Sequence, residues 1–348
     1  MDYTKGFPLY HPVCIGNLKL DGNLFLAPIA GYSDRAFRSI CIENGASYCT
    51  TEMVSAEALV RGSGKTESLM AKASTESVYA VQLFGGNPEV MAKATICVLE
   101  QTDCTSIDIN AGCPVQKIIK SGAGSVLTRE PELLYKIVSA AKKASESYFK
   151  DHLERGNVPI TVKIRSGWDS EHLTWKETVP AAIEAGASAL TIHARTKAQG
   201  YEGKANWEIQ QKVVSLAQNK IPIFGSGDAN SPETARKMLL ETGVDGVMFA
   251  RGAMGDPFLF RRTKDFLCNG TYSQESVQER IVAGFKELEL NCADFGEKAA
   301  CLQMRKKFCA YSSGLRGGAK LREQIVKAST VQDYKNIFAF VTENMLRS

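Results

Sequence analysis

No two of the ten cysteines form a C-x-x-C pair. Cys292, Cys301 and Cys309 are separated by eight and seven residues, a spacing that matches no zinc or iron–sulfur ligand set. No metal is therefore expected, and a disulfide framework is not expected in a chain of this size. No apolar run approaches the roughly 18 residues that would suggest a membrane span. The leading MDYTKGFPLYHPVCIGNLKL lacks a basic region followed by a long apolar stretch, so no secretory signal is read. The expectation is a cytoplasmic protein with no membrane partner. Low-complexity tracts are also missing.

What is present is ordinary in amount and uneven in placement. Hydrophobic residues make up 44% of the 348 positions and charged residues 23%, as in a soluble enzyme. The net charge is only +4, yet residues 298–327 carry eight basic residues against the single acid Glu323. That segment is +7 and the remainder −3. A basic patch on an acidic body points to a polyanionic partner, although a solvated helix face has the same composition.

Short β-type runs alternate with helical spacing along most of the chain. Strands are expected near 23–27, 47–51, 78–83, 106–110, 160–164, 189–193, 221–225 and 246–250. Ser231-Pro232 opens one intervening helix as N-cap and first residue, and the ENGAS, EAGAS and ETGVD stretches close others with glycine. Eight β–α units indicate a (β/α)8 TIM barrel, with a doubly wound sheet as the rival. After Pro257 only helical periodicity remains, over 275–292, 297–313, 319–328 and 331–346. The reading is a barrel over 1–260 and a C-terminal all-α domain over 270–348.

Barrel chemistry gathers at the carboxyl ends of strands. There the sequence places Pro28, Ile29 and Ala30, then Gln82, Asn110 with Cys113, Lys163 with Arg165, and His193 with Arg195. Ser226, Gly227 and Asp228 follow the seventh strand, and Ala250 with Arg251 the eighth. The last two loops sit where barrels often cradle a phosphate on backbone N–H groups. With a lysine and a glutamine on the floor, FMN is the expected cofactor. Lys163 is the group to balance negative charge near its N1.

The motifs PIAGYSDRAFR, TEMVSAEAL, VQLFGG, DINAGCPVQK, GAGSVLT, VKIRSGW, TIHARTKAQGYEGKANW, FGSGD and FARGAMGDP occur in the order found in the tRNA-dihydrouridine synthases. The chain resembles the bacterial, B-type members over about residues 23–260, and MRKKFCAYSSGLRGGAKLR carries the likeness into the helical domain. Two departures are Ser226, where the family commonly has Asn, and Asn206, where Asp is common.

The resemblance implies FMN on Pro28 to Ala30, Gln82, Lys163, His193, Ser226 to Asp228, Ala250 and Arg251. It implies a uracil surrounded by Asn110, Lys163, Arg165 and Tyr201, NADPH or NADH as reductant, and tRNA on the helical domain. Reduction of the uracil 5,6 double bond then needs hydride at C6 and a proton at C5. Cys113 is the candidate acid, and it must stay a thiol to serve. Arg305, Lys306, Lys307, Arg316, Lys320 and Arg322 are the expected RNA contacts, with Tyr311 either stacking or in the core. A monomer is expected. Two rivals stay open: a flavin barrel acting on a small molecule, and an RNA-binding protein that has retired its site.

Overall fold

The computed structural model describes residues 8–153, 156–315 and 317–345. Eight parallel strands close into a barrel: β3 (Leu24–Leu26), β4 (Tyr48–Ser55), β5 (Tyr79–Phe84), β6 (Ser106–Ala111), β7 (Ile160–Gly167), β8 (Ala189–Thr196), β9 (Ile223–Ser226) and β10 (Gly246–Phe249). They pair in sequence order, and β10 returns to β3 with Val247 opposite Leu24. Every expected strand is present, within a few residues of its expected ends. The expected doubly wound rival is excluded by closure.

The strands are apolar on both faces because helices cover them outside and side chains fill them inside. The outer shell comprises α1 (Arg35–Glu43), α2 (Ala56–Val60), α3 (Lys65–Met70), α4 (Pro88–Gln101), α5 (Gln116–Ile119), α6 (Pro131–Asp151), α7 (Trp175–Glu184), α8 (Trp207–Ala217), α9 (Pro232–Thr242) and α10 (Leu259–Asn269). Ser231 caps α9 in a reciprocal box with Thr234, as the Ser-Pro pair suggests. Leu259, Phe260 and Leu267 of α10 enter the barrel core, so this helix belongs to the barrel and straddles the expected boundary at 260.

The sequence reading contained no N-terminal hairpin. The strands β1 (Val13–Ile15) and β2 (Leu18–Leu20) pair antiparallel, and Val13, Ile15 and Leu20 pack with Phe25, Tyr48, Ala80 and Phe224. Both strands lie ahead of the β–α alternation that revealed the others, so no repeat pointed to them.

Four helices follow: α11 (Val277–Phe295), α12 (Glu297–Tyr311), α13 (Gly318–Ile325) and α14 (Val331–Met345). Their own core is built on Leu288, Met304, Phe308, Ile325, Tyr334 and Phe338. A smaller cluster of Ile40, Phe258, Ala283 and Tyr311 joins them to the barrel. Among the described residues no helix is long and apolar enough to cross a membrane.

Candidate active site

The carboxyl ends of the strands open into one cavity of about 260 Å3. Its wall contains Pro28, Ile29, Ala30, Gln82, Asn110, Cys113, Lys163, Arg165, His193, Tyr201, Ser226, Gly227, Asp228, Ala250 and Arg251. The structure thus brings the expected cofactor, substrate and acid residues to one place, while Arg195 stays out of the wall and holds Asp228. Met53, which follows the second strand in the sequence, lines it too, as do Asn230 and Met248, which were not expected.

The floor is organised by a residue that sequence reasoning passed over. Asp108 is buried on β6 and accepts hydrogen bonds from Thr161 Oγ1 at 2.6 Å and Gln82 Nε2 at 2.7 Å. A carboxylate only accepts, so the Gln82 amide must turn its oxygen the other way. That oxygen accepts from Asn110 Nδ2 at 2.8 Å. Asn110 Oδ1 in turn accepts from the N–H groups of Gly112 at 3.1 Å and Cys113 at 2.9 Å. One buried carboxyl therefore orients two amides and fixes the backbone that carries Cys113. Burial pushes the Asp108 carboxyl up, while Thr161, Gln82 and Lys163 pull against that rise. The alternation of Ile107, Asp108 and Ile109 held a signal, since a charged side chain inside a barrel strand needs buried partners.

Arg165 does comparable work from the other side. It is 2% exposed, and its Nε donates to Gly112 O at 2.8 Å. Nη1 donates to Thr196 O at 2.8 Å and Gly200 O at 2.9 Å. Arg165 thus ties the Cys113 turn to the loop that ends at Tyr201.

Electrostatics sets the protonation states. Burial raises the Cys113 thiol above its ordinary value, although the Val115 N–H and the cations Arg165 and Lys163 oppose this. The thiol is therefore the prevailing form at neutral pH. Burial, and then the nearby Arg165 guanidinium, push the Lys163 amine down to about 8. His193 is held well below the ordinary imidazole range by burial and by Lys163, Arg165, Arg195 and Arg251, so it is neutral at pH 7.

At the β9 and β10 ends the backbone is shaped for close approach. Gly227 has φ +105°, and a Cβ there would lie 2.9 Å from both His193 Cδ2 and Ala205 Cβ. Asp228 adopts φ 62° and turns its carboxylate onto Arg195 Nη2, at 2.8 and 2.9 Å. Burial alone would raise that carboxyl; the Ala205 N–H and Arg195 reverse it and hold it below the usual range. The Gly227 carbonyl is taken by Trp207 Nε1 at 3.1 Å and the Ser226 carbonyl by Gln210 Nε2 at 2.9 Å. The Asp228 and Ala229 N–H groups make no hydrogen bond among the described residues. Arg251 stands 3.6 Å from Asp228 and is half exposed.

The expected RNA contacts separate into different environments. Lys320 and Arg322 face solvent, whereas Arg305 is half buried and donates to Ala328 O at 2.7 Å. Lys306 reaches Gly31 O beside the cavity. Arg316 lies outside the described residues. Lys307 is a correction: it is fully buried, with Nζ 2.5 Å from both Asp34 Oδ2 and Glu287 Oε1, and cannot touch RNA. Tyr311 is likewise buried, its hydroxyl donating to Glu287 Oε2 at 2.8 Å.

A closed parallel barrel with a cationic, glycine-lined pocket at the strand ends has the architecture of a (β/α)8-barrel enzyme. Residues 25–346 match the profile of the family described as dihydrouridine synthase, and the chain belongs to that family. It is 51% identical over 328 residues to a probable tRNA-dihydrouridine synthase of Treponema pallidum, covering 94% of this chain and 95% of that one. It is 34% identical to tRNA-dihydrouridine synthase B of Pseudomonas aeruginosa, covering 90% of each. Among solved structures it resembles a 2-naphthoyl-CoA reductase complex (TM-score 0.56, 13% identity, 76% of this chain and 52% of that). It also resembles DHODH from Eimeria tenella (TM-score 0.53, 15% identity, 78% and 85%). The last two likenesses concern the fold.

Proposed function

We propose that this protein reduces the C5–C6 double bond of uridines in tRNA, with FMN as bound cofactor and NADPH or NADH as reductant, acting as a monomer in the cytoplasm. The observation that carries the reading is the gathering of Cys113, Lys163, His193 and the Gly227–Asp228 turn in one cavity, in a chain of the dihydrouridine synthase family.

The residues fit FMN on three observations. Lys163 has no carboxylate within ion-pair distance among the described residues, so its charge awaits an anion. The N–H groups of Asp228 and Ala229 are free beside Arg251, a cradle for one phosphate. Gly227 borders the cavity with bare backbone, and a Cβ there would collide with His193 and Ala205. Pro28 to Ala30, Gln82, His193, Ala250 and Arg251 would complete the enclosure. When bound and reduced, a flavin would supply the hydride that adds to C6 of the uracil.

The chain's own residues do the rest. Lys163 and Arg165 draw electron density toward the uracil carbonyls, and Cys113 Sγ–H gives its proton to C5. Asn110 and Arg165 have most of their polar atoms committed to the protein, so their main work is to hold the Cys113 turn. Tyr201 is 60% exposed at the mouth, with Arg251 4.9 Å from its ring, a surface for a base turned out of its stack.

Gly227→Ala is expected to lower the flavin content of purified protein roughly tenfold, because the strained turn must shift to clear His193. Absorbance against protein concentration measures it; full flavin content would remove Gly227 from the cradle. The function itself is tested by mass spectrometry of nucleosides from unmodified tRNA incubated with protein and NADPH. A gain of two mass units on uridine is expected. Oxidation of NADPH with every uridine unchanged would transfer the reading to a small-molecule substrate.

A further inference from the structure

Beyond the cavity, two loops are stitched into a rim with no assigned role. Lys197 N–H donates to Gly167 O at 2.9 Å and Ala198 N–H to Trp168 O at 2.8 Å, joining the loop after β8 to the loop after β7. The Trp168 N–H donates to His172 O at 3.0 Å, closing a turn that only glycine permits at 167. A Cβ on Gly167, with φ +156°, would sit 2.2 Å from His172 O. Thr174 Oγ1 donates to Thr128 O at 2.5 Å, which sets Arg129 beside the same turn.

The result is an indole carrying two cations. Arg129 Cζ lies 3.9 Å and Lys197 Nζ 4.4 Å from the Trp168 ring centroid. Neither cation has a carboxylate within ion-pair distance among the described residues. Asp169, in the same loop, is occupied by His172 at 2.7 Å. The indole face holds both cations, and neither is neutralised by a carboxylate. A second station of the same kind stands at the other end of the 196–201 loop, where Arg251 and Arg165 flank Tyr201 at 4.9 and 5.8 Å. Tyr201 lines the cavity, whereas Arg129, Trp168 and Lys197 do not.

We infer that the Arg129–Trp168–Lys197 rim is a phosphodiester-binding site that grips the tRNA strand next to the uridine inserted in the cavity. The inference rests on the function proposed above. One phosphate cannot occupy both stations, since one lies in the cavity wall and the other outside it. A polynucleotide with one base in the cavity must carry its flanking phosphates across the mouth. Aromatic platforms interleaved with cations suit such a strand.

The test is binding of unmodified tRNA to the full chain by fluorescence anisotropy from 50 to 300 mM salt, a range in which counterion release is legible. For R129Q/K197Q the dissociation constant is expected to rise roughly tenfold and the log–log salt slope to fall by about 1.5. K212Q/K237Q removes equal charge from the outer helices α8 and α9, and its slope is expected to match wild type. An unchanged slope in R129Q/K197Q, or an equal fall in the control pair, overturns the inference. A raised KM for NADPH with an unchanged tRNA slope overturns it in favour of the dinucleotide. Wild-type protein that binds tRNA with the expected slopes yet forms no dihydrouridine sinks the functional reading and leaves the rim standing.

Discussion

Replacement of Cys113 by alanine is expected to slow uridine reduction by about 10²–10⁴-fold, the usual worth of a positioned general acid. The argument is geometric before it is electrostatic. The thiol sits on a turn held by Asn110 Oδ1 through the Gly112 and Cys113 N–H groups and by Arg165 through the Gly112 carbonyl. Removing Sγ leaves that turn in place, so the loss reports proton delivery rather than collapse. Flavin content and melting temperature check that the pocket persists. The pH profile makes the role specific. Burial raises the thiol above its ordinary value, so the active, protonated form prevails through neutrality. The thiol should contribute a high-pH limb as pH rises through its raised value, above the ordinary thiol range of about 8.5, beyond the limb that loss of the Lys163 charge near 8 contributes. A residual rate in Cys113→Ala that keeps the same high-pH limb would assign the limb, and the proton, to another group. Lys163, pushed down to about 8, is then the first to examine.

The barrel was legible because its signals are local and repeated: eight apolar runs, glycines after the helices, and a polar or glycine residue at nearly every strand end. The cavity was legible for the same reason, since strand ends converge by topology alone. What escaped depended on side-chain direction. Asn110 read as a group facing substrate, and the structure spends its amide on Gln82 and the Cys113 turn. Nothing in SIDINAGCP distinguishes those uses, because they differ only in what lies across the barrel. Lys307 was different, for the signal was there. On α12 the buried positions are Ala300, Cys301, Met304, Lys307, Phe308 and Tyr311, an i, i+3, i+4, i+7 stripe. Lys307 falls on that stripe, while Arg305 and Lys306 fall off it. Counting charge over 298–327 averaged the stripe away.

Lys307→Met should cost about 3–5 kcal/mol of stability, a large share of the roughly 5–15 kcal/mol a protein has. The ammonium is enclosed by Asp34 and Glu287, and Tyr311 completes the cluster through Glu287. Methionine fills the stem's volume but leaves two carboxyls without their cation, one of them, Glu287, wholly buried. Asp34 also caps α1 through the Phe37 N–H at 2.8 Å, directly after the loop whose Pro28 to Ala30 line the cavity. The loss therefore reaches the cofactor side of the barrel as well as the helical domain. All three tryptophans, Trp168, Trp175 and Trp207, belong to the barrel. Indole fluorescence therefore follows that unit, while far-ultraviolet dichroism follows both. In the variant the dichroism transition should begin at lower temperature than the fluorescence transition. Burial already raises the Glu287 carboxyl despite Lys307, and without the ammonium it must rise further. A carboxyl raised on folding favours the folded state at low pH, and that contribution is lost as pH rises through its folded value. The penalty should accordingly shrink toward acidic pH and grow as pH rises through the folded Glu287 value. K307M/E287Q, which removes the buried charge along with its partner, should recover much of the loss. A Lys307→Met protein that melts with wild type at pH 7 would place the cluster among the buried ion pairs whose desolvation cancels their attraction.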